Sequence, residues 1–230
     1  MTAILTLLLA LGGQAATSLP ALESQLSSDP ENLRVAADYR QAVIASGNYD
    51  RAIKFFESLD KRAGAGPHAA LNLGLAYIDK IPSVGAFGRI SLGNHATSAL
   101  TRSIQREPSD VAYLIRGMVN LRFEKGFFHR TPEGVADLEM AMQIASSHLD
   151  RKYVARIYLA LGDGYWRLKK HDKARETWQG GRARFPDDPH LQMRVTASDT
   201  VVTDTLSHEL DAGVRVDTSL RELFEDQPQR

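Results

Sequence analysis

Small and large residues recur at fixed spacing in residues 155–186, and this spacing restricts the possible fold more than any other feature. Counted from Ala155, the marked positions are 4, 7, 8, 11, 20, 24, 27 and 32, occupied by Tyr158, Leu161, Gly162, Tyr165, Ala174, Trp178, Gly181 and Pro186. Small residues on one helix can receive large residues of another, and a proline ends the second helix. The window therefore predicts a hairpin of two short interlocking helices.

The same spacing recurs upstream, with Tyr39, Ala52 and Phe56 in one window and Leu73, Gly74 and Tyr77 in the next. In this pattern the chain resembles the tetratricopeptide repeat (TPR) superfamily from about residue 18 to 188. The resemblance implies an all-α fold, a TPR-like α-solenoid that forms a right-handed superhelix of helical hairpins with a C-terminal capping helix. The expected TPR-like domain, 17–188, consists of a half repeat, 18–32, and four repeats, 33–66, 67–109, 110–154 and 155–188.

The first sixteen residues form the one strongly apolar stretch of the chain. An apolar core at 4–11 precedes small residues at 12–16, which is the layout of a secretory signal peptide, although residues 1–3 carry no lysine or arginine. The stretch is shorter than the roughly 20 residues that span a bilayer. We expect a signal peptide at 1–16, a periplasmic or secreted protein and no stable membrane insertion after cleavage. The alternatives are an uncleaved membrane anchor and a buried N-terminal helix.

Composition and motifs give little support for catalysis. The 28 basic residues equal the 28 acidic ones, so no net charge favours nucleic acid as a partner. The chain has no cysteine, its seven histidines include no pair at helical ligand spacing, and the zincin, hydrolase, P-loop and Rossmann motifs are absent. We predict no catalytic residue, no metal site, no cofactor and no enzymatic activity.

The resemblance also implies that the first helix of each hairpin lines a concave groove. Its groove-facing positions are apolar in the middle repeats and become cationic and aromatic towards the fourth repeat. Arginine and tryptophan are enriched at binding hot spots. The candidate partner-binding residues in the groove are Arg34, His68, Arg122, Arg156, Asp163, Trp166 and Arg167. The alternative is that the chain's own C-terminal helix covers the apolar positions.

Two insertions, at 80–94 and 124–134, fall between the two helices of consecutive repeats. Equivalent loops of neighbouring repeats emerge on one edge of a solenoid. The first offers Phe87 and Arg89 and the second Phe127 and Phe128, ahead of a helix start at Thr131 and Pro132. These loops predict a basic, aromatic rim suited to an anionic or extended peptide. The alternative is that the phenylalanines pack beneath their own loops.

Charge is uneven along the last third of the chain. Residues 151–186 contain ten basic and three acidic residues, whereas residues 187–230 contain ten acidic and four basic ones. We therefore expect 189–230 to be an acidic capping segment that folds back on the last repeat, with two short helices between Leu206 and Phe224. A solvated tail is the alternative.

These features favour an exported TPR adaptor or scaffold that binds a protein or peptide partner through the groove and the rim. The alternatives are a small-ligand-binding accessory protein of a solute-uptake system and a structural assembly factor of an envelope complex. An enclosed cavity would favour the small ligand, and an open groove would favour the adaptor. Neither the partner nor the oligomeric state follows from the sequence.

Overall fold

The computed structural model describes residues 18–123, 130–149 and 151–225, and within these ranges it contains helices and no β-strand. The predicted all-α solenoid is therefore confirmed. The helices are α1 (Leu19–Ser28), α2 (Leu33–Ser46), α3 (Tyr49–Asp60), α4 (Pro67–Lys80), α5 (Ala86–Arg106), α6 (Asp110–Arg122), α7 (Thr131–Ala145), α8 (Val154–Arg167), α9 (His171–Arg184), α10 (Pro189–Thr196), α11 (Asp199–Glu209) and α12 (Glu222–Glu225), with a 3₁₀ turn at Ile81–Ser83.

Local sequence signals account for many of the helix ends. The side chains of Asn32, Ser109 and Asp188 accept hydrogen bonds from backbone N–H groups in the first turns of α2, α6 and α10. Such caps satisfy amides that have no partner inside a helix. At the other end of α2, Gly47 adopts a φ of 71°, a left-handed conformation that favours glycine.

The hairpins interlock through a glycine on the first helix and a large side chain on the second. Helix α4 packs on α5, α6 on α7 and α8 on α9. A methyl group added to the glycine would lie 2.2–2.8 Å from the large side chain in each hairpin, the pairs being Gly74 with Leu100, Gly117 with Leu138, and Gly162 with Trp178. The glycines therefore allow the two helices of each hairpin to approach closely. We call α2, α4, α6 and α8 the A helices.

The first insertion lengthens a helix and leaves only a short connection. Helix α5 has 21 residues and begins at Ala86, so Phe87 and Arg89 belong to its first turns. The expectation of a loop over 80–94 is wrong. Only the 3₁₀ turn and two further residues separate α4 from α5, and Pro82 lies within that turn.

The acidic C-terminal segment has two parts. Helices α10 and α11 cover the end of the fourth hairpin and bury Leu191, Val202 and Leu206. Beyond α11 the chain is not regularly helical until α12. The expected pair of short helices over 206–224 is therefore wrong, because Leu206 lies within α11 and residues 215–220 are not helical.

Candidate functional site

The C-terminal residues 210–224, which we call the tail, lie along the A helices and fill the groove between them. Four arginines on three A helices donate hydrogen bonds to backbone carbonyls of the tail and of the residue before it. Arg122 donates to Glu209 at 3.2 Å, Arg156 to Asp217 at 2.6 Å, Arg40 to Thr218 at 2.6 Å and Arg34 to Phe224 at 3.3 Å. Every peptide has such carbonyls, so these contacts can hold an extended chain of almost any sequence.

Thr218 occupies the centre of the groove between two charged side chains. Its hydroxyl donates to Oδ1 of Asp79 on α4, while its carbonyl accepts from Arg40 on α2. Arg40 and Asp79 also form an ion pair, with Nη1 and Oδ2 3.7 Å apart, and both are almost fully buried. Burial raises the pKa of Asp79, and the positive charge of Arg40 opposes this rise.

Side chains 214–218 of the tail alternate between the groove and solvent, and the next two residues, Ser219 and Leu220, are both buried. Val214, Val216 and Thr218 face an apolar wall formed mainly by Ile78, Ile115 and Met118, whereas residues 215 and 217 are exposed. This is the period of an extended strand. A cavity of about 20 Å³ remains between the tail and the wall.

Helices α10 and α11, which we call the cap, cover the end of the fourth hairpin. There the Asp163 side chain is bound by α10 and does not face an open groove. Arg194 of α10 donates to its two carboxylate oxygens at 2.9 and 3.3 Å, and also to Glu209 at 2.5 Å. Arg194 and Asp163 are both buried. Burial raises the pKa of Asp163, whereas Arg194 acts in the opposite direction.

Trp166, Arg167 and Arg122 are likewise engaged within the protein. The Trp166 indole N–H donates to the Thr203 hydroxyl of α11 at 3.2 Å, and the ring stacks on His171. Arg167 donates to the carbonyl of Leu121. Burial lowers the pKa of Arg122 to about 10, and its Nε has no hydrogen-bond partner within the part of the chain that the structure describes.

The remaining groove candidates lie near the first hairpin or beside the tail. Arg34 is exposed and its guanidinium lies 4.9 Å from the centre of the Phe224 ring. His68 contacts the carbonyl of Glu31 through Nδ1 at 2.8 Å and has no contact with the tail among those described. Arg156 pairs with Glu222 at 3.4 Å. The predicted groove residues are thus not gathered in one site, and several of them hold the tail and the cap.

The two described rim residues point in different directions. Phe87 is 91% exposed at the start of α5. Arg89 lies against the tail, 3.9 Å from the Asp211 carboxylate, and donates to the carbonyl of Val84. Phe127 and Phe128, like the expected signal peptide at 1–16, lie outside the described residues.

Arg40, Asp79 and Thr218 form the central contact of the groove, and none of them was among the sequence candidates. A signal for Arg40 was present: it stands at the repeat position that is glycine in the other three hairpins, namely Gly74, Gly117 and Gly162. A long charged side chain cannot make the close helix approach for which a glycine serves. An arginine at that position therefore indicates a role other than close packing of the two helices of the hairpin.

A second, polar cleft of about 660 Å³ opens between α5, α6 and α7. Its main charged groups are already paired, since Arg116 donates to the two oxygens of Asp137 at 2.6 and 2.9 Å. Arg130 donates to Asn94 at 2.8 Å across the same cleft. The charges of Arg116 and Asp137 therefore neutralise each other and are less available to a small ligand.

Comparisons with known proteins agree with this architecture. A family model for the tetratricopeptide repeat matches residues 9–78. The structure is similar to the crystal structure of a thermophilic TPR protein of Thermus thermophilus, with a TM-score of 0.58 and 18% identity over 77% of this chain and 86% of that one. No curated protein matches the chain. None of the helices within 18–123, 130–149 and 151–225 is long and apolar enough to cross a membrane.

Proposed function

We propose, on the premise that this chain is a protein of the tetratricopeptide-repeat superfamily, that it is an adaptor whose groove binds an extended peptide segment of a protein partner. TPR arrays are generally protein-interaction modules, and their fold is typically that of a non-catalytic scaffold. The groove of this chain adds a specific reason for the proposal, because it already holds an extended segment.

The observation that carries the proposal is the set of arginine contacts to tail carbonyls. Recognition of an extended peptide combines hydrogen bonds to its backbone with pockets for alternate side chains. Both elements are present here, since arginines of α2 and α8 contact tail carbonyls and the alternate side chains of Val214, Val216 and Thr218 meet the apolar wall. A partner peptide could use the same donors once the tail has left.

Cavity size supports a peptide over a small ligand in this groove. Small-molecule sites are usually about 300–1,000 Å³ in volume. The space between the tail and the apolar wall is only about 20 Å³. An extended peptide that replaces the tail needs no preformed cavity.

We place this adaptor outside the cytoplasm, in the periplasm or the secreted fraction, because of the apolar stretch and small residues at 1–16. The test is N-terminal sequencing of the protein from fractionated native cells. A mature chain that begins at Ala16 or Thr17 is expected. Full-length protein in the cytosolic fraction would contradict this placement.

Site-specific photocrosslinking in the native cells tests the binding function. A photoreactive phenylalanine analogue replaces Phe87 on the rim or Arg34 at the end of the groove. Both positions are exposed, so the replacement leaves the core intact. The matched control position is Lys54, which is exposed on α3, in the helix layer away from the tail.

We expect the same partner protein to be crosslinked from positions 87 and 34 and not from position 54. Mass spectrometry of the adducts identifies the partner and the crosslinked peptide within it. If neither groove position gives an adduct, or if position 54 gives the same adduct in equal yield, the groove is not the binding surface.

A further inference from the structure

The ion pair at the centre of the groove is incompletely satisfied by the protein itself. Arg40 and Asp79 approach only to 3.7 Å, and Nε and Nη2 of Arg40 and Oδ2 of Asp79 have no hydrogen-bond partner among the described residues. Buried charges are costly unless they are paired and hydrogen-bonded. Thr218 satisfies two other atoms of the pair, because its carbonyl accepts from Nη1 of Arg40 and its hydroxyl donates to Oδ1 of Asp79.

The contacts of Thr218 with Arg40 and Asp79 select for a hydroxyl side chain at one position of the bound chain. The carbonyl contact is available to any residue, but only a hydroxyl side chain can also donate to Asp79 at that depth. Thr218 is 1% exposed, so water does not replace a missing hydroxyl easily. Leaving a buried acceptor unsatisfied lowers binding roughly 10- to 100-fold.

A second position selects for an apolar side chain and is not filled well by the tail. Val216, two residues before Thr218, lines this space together with Ala212 and Val214 of the tail, and about 20 Å³ is left unfilled. The surface around the space is mostly apolar. A larger apolar side chain at this position would bury more surface than valine does.

We propose that the groove selects extended peptides with the pattern apolar–any–threonine or serine, and that the tail, through Val216 and Thr218, is a built-in mimic that a partner must displace. This inference rests on the proposed adaptor function and specifies its ligand. A tethered competitor acts at an effective concentration in the millimolar range. The apparent affinity for a free peptide is therefore the intrinsic affinity multiplied by the fraction of molecules whose groove is open.

Substitutions in the tail leave the groove unchanged and alter only the competitor. Thr218→Val in the full chain removes the hydroxyl at nearly constant volume. Thr200→Val is the matched control, because Thr200 is exposed at the start of α11. Val216→Ile should instead strengthen the binding of the tail to the groove, because it adds one methylene towards the cavity.

The probe is a fluorescent synthetic peptide with the sequence of residues 210–225, titrated by anisotropy into each purified full-length protein. We expect it to bind Thr218→Val protein roughly 10- to 100-fold more tightly than wild type or Thr200→Val. Binding to Val216→Ile protein should be about fourfold weaker than to wild type. A peptide with valine at the Thr218 position should lose most of its affinity, and one with serine should keep it.

Equal binding of the threonine and valine peptides would overturn the inference, as would equal affinity of the four proteins for the probe. If Thr218→Val lowers the melting temperature, the Val216→Ile protein still tests the competition, since it strengthens the native contact. Light scattering at the same concentrations is a further check. A dimer that exchanges tails between copies would identify a second copy as the occupant and would also overturn the inference.

These outcomes are separable from those of the crosslinking experiment. If a partner is crosslinked at positions 34 and 87 but the probe does not distinguish the proteins, the adaptor function stands and the proposed pattern fails. If the affinities of the probe peptides follow the predicted pattern but no partner is crosslinked, the hydroxyl-selective contact serves only to hold the chain's own tail. The adaptor function then fails.

Discussion

Replacement of Gly162 by alanine tests the interlock of the fourth hairpin. The new methyl group would lie 2.2 Å from Nε1 of Trp178 and 2.4 Å from its Cδ1. The indole is fully buried and its N–H donates to the carbonyl of Leu159 at 3.2 Å, so the ring has little freedom to move aside. To restore an ordinary contact the ring would have to shift by about 1 Å.

The size of the effect follows from opposing contributions. Overpacking a filled core costs about 1–3 kcal/mol, and the stretched hydrogen bond costs about 1 kcal/mol more. Alanine recovers about 1 kcal/mol through its higher helix propensity. We therefore expect Gly162→Ala to lower the free energy of unfolding by about 1–3 kcal/mol.

Gly180→Ala is the matched control on the partner helix α9. A methyl group there meets only Tyr158, at 3.5 Å, which is an ordinary contact. It should stabilise the protein by up to about 1 kcal/mol through helix propensity alone. For a chain of this size the two variants should differ in melting temperature by about 2–16 °C, as measured by circular dichroism. Equal melting temperatures would refute the interlock.

Two further predictions concern ion pairs. Asp163→Asn leaves the buried Arg194 without its main counter-charge and should cost about 3–5 kcal/mol by urea unfolding, whereas the exposed control Asp172→Asn should change stability little. The bidentate hydrogen bond from Arg51 lowers the pKa of Glu23 below its usual 4.5, so the pair stabilises the fold above that pH and the contribution is lost as the pH falls. The melting-temperature difference between wild type and Glu23→Gln should therefore be present at pH 6 and should shrink as the pH falls below 4.5; a constant difference would contradict the assignment.

The helical hairpins could be predicted from the sequence because their determinants are local. Gly162 and Trp178 are 16 residues apart, and the small and large residues that interlock repeat with the hairpin itself. The TPR resemblance agrees with the family model that matches residues 9–78 and with the similar fold of a solved TPR protein. The insertion before α5 was not predictable in the same way. Its glycines, Gly85 and Gly88, indicate a loop in isolation, but helix α5 starts between them.

The central contact of the groove depends instead on residues that are far apart in the chain. Arg40 and Thr218 are separated by 178 positions, and Asp79 and Thr218 by 139. The charge imbalance of the C-terminal segment predicted that it folds back. Net charge does not show which residue of the segment contacts which residue of the hairpins. It could not show that the contact would extend from the fourth hairpin to the first, or that the chain would be extended where it meets Asp79.

The C-terminal segment therefore contains two parts with different physical properties. Helices α10 and α11 bury Leu191, Val202 and Leu206 against the last hairpin, as a permanent cap of a solenoid must do. The tail lacks regular helical hydrogen bonds, presents valines to an apolar wall that they do not fill, and is held largely through carbonyls that any peptide offers. The tail also buries Leu210 and Leu220, so its release exposes these side chains and costs their burial energy. Loss of the tail would leave the cap and the hairpins in place, and this separation is what an exchangeable occupant of the groove requires.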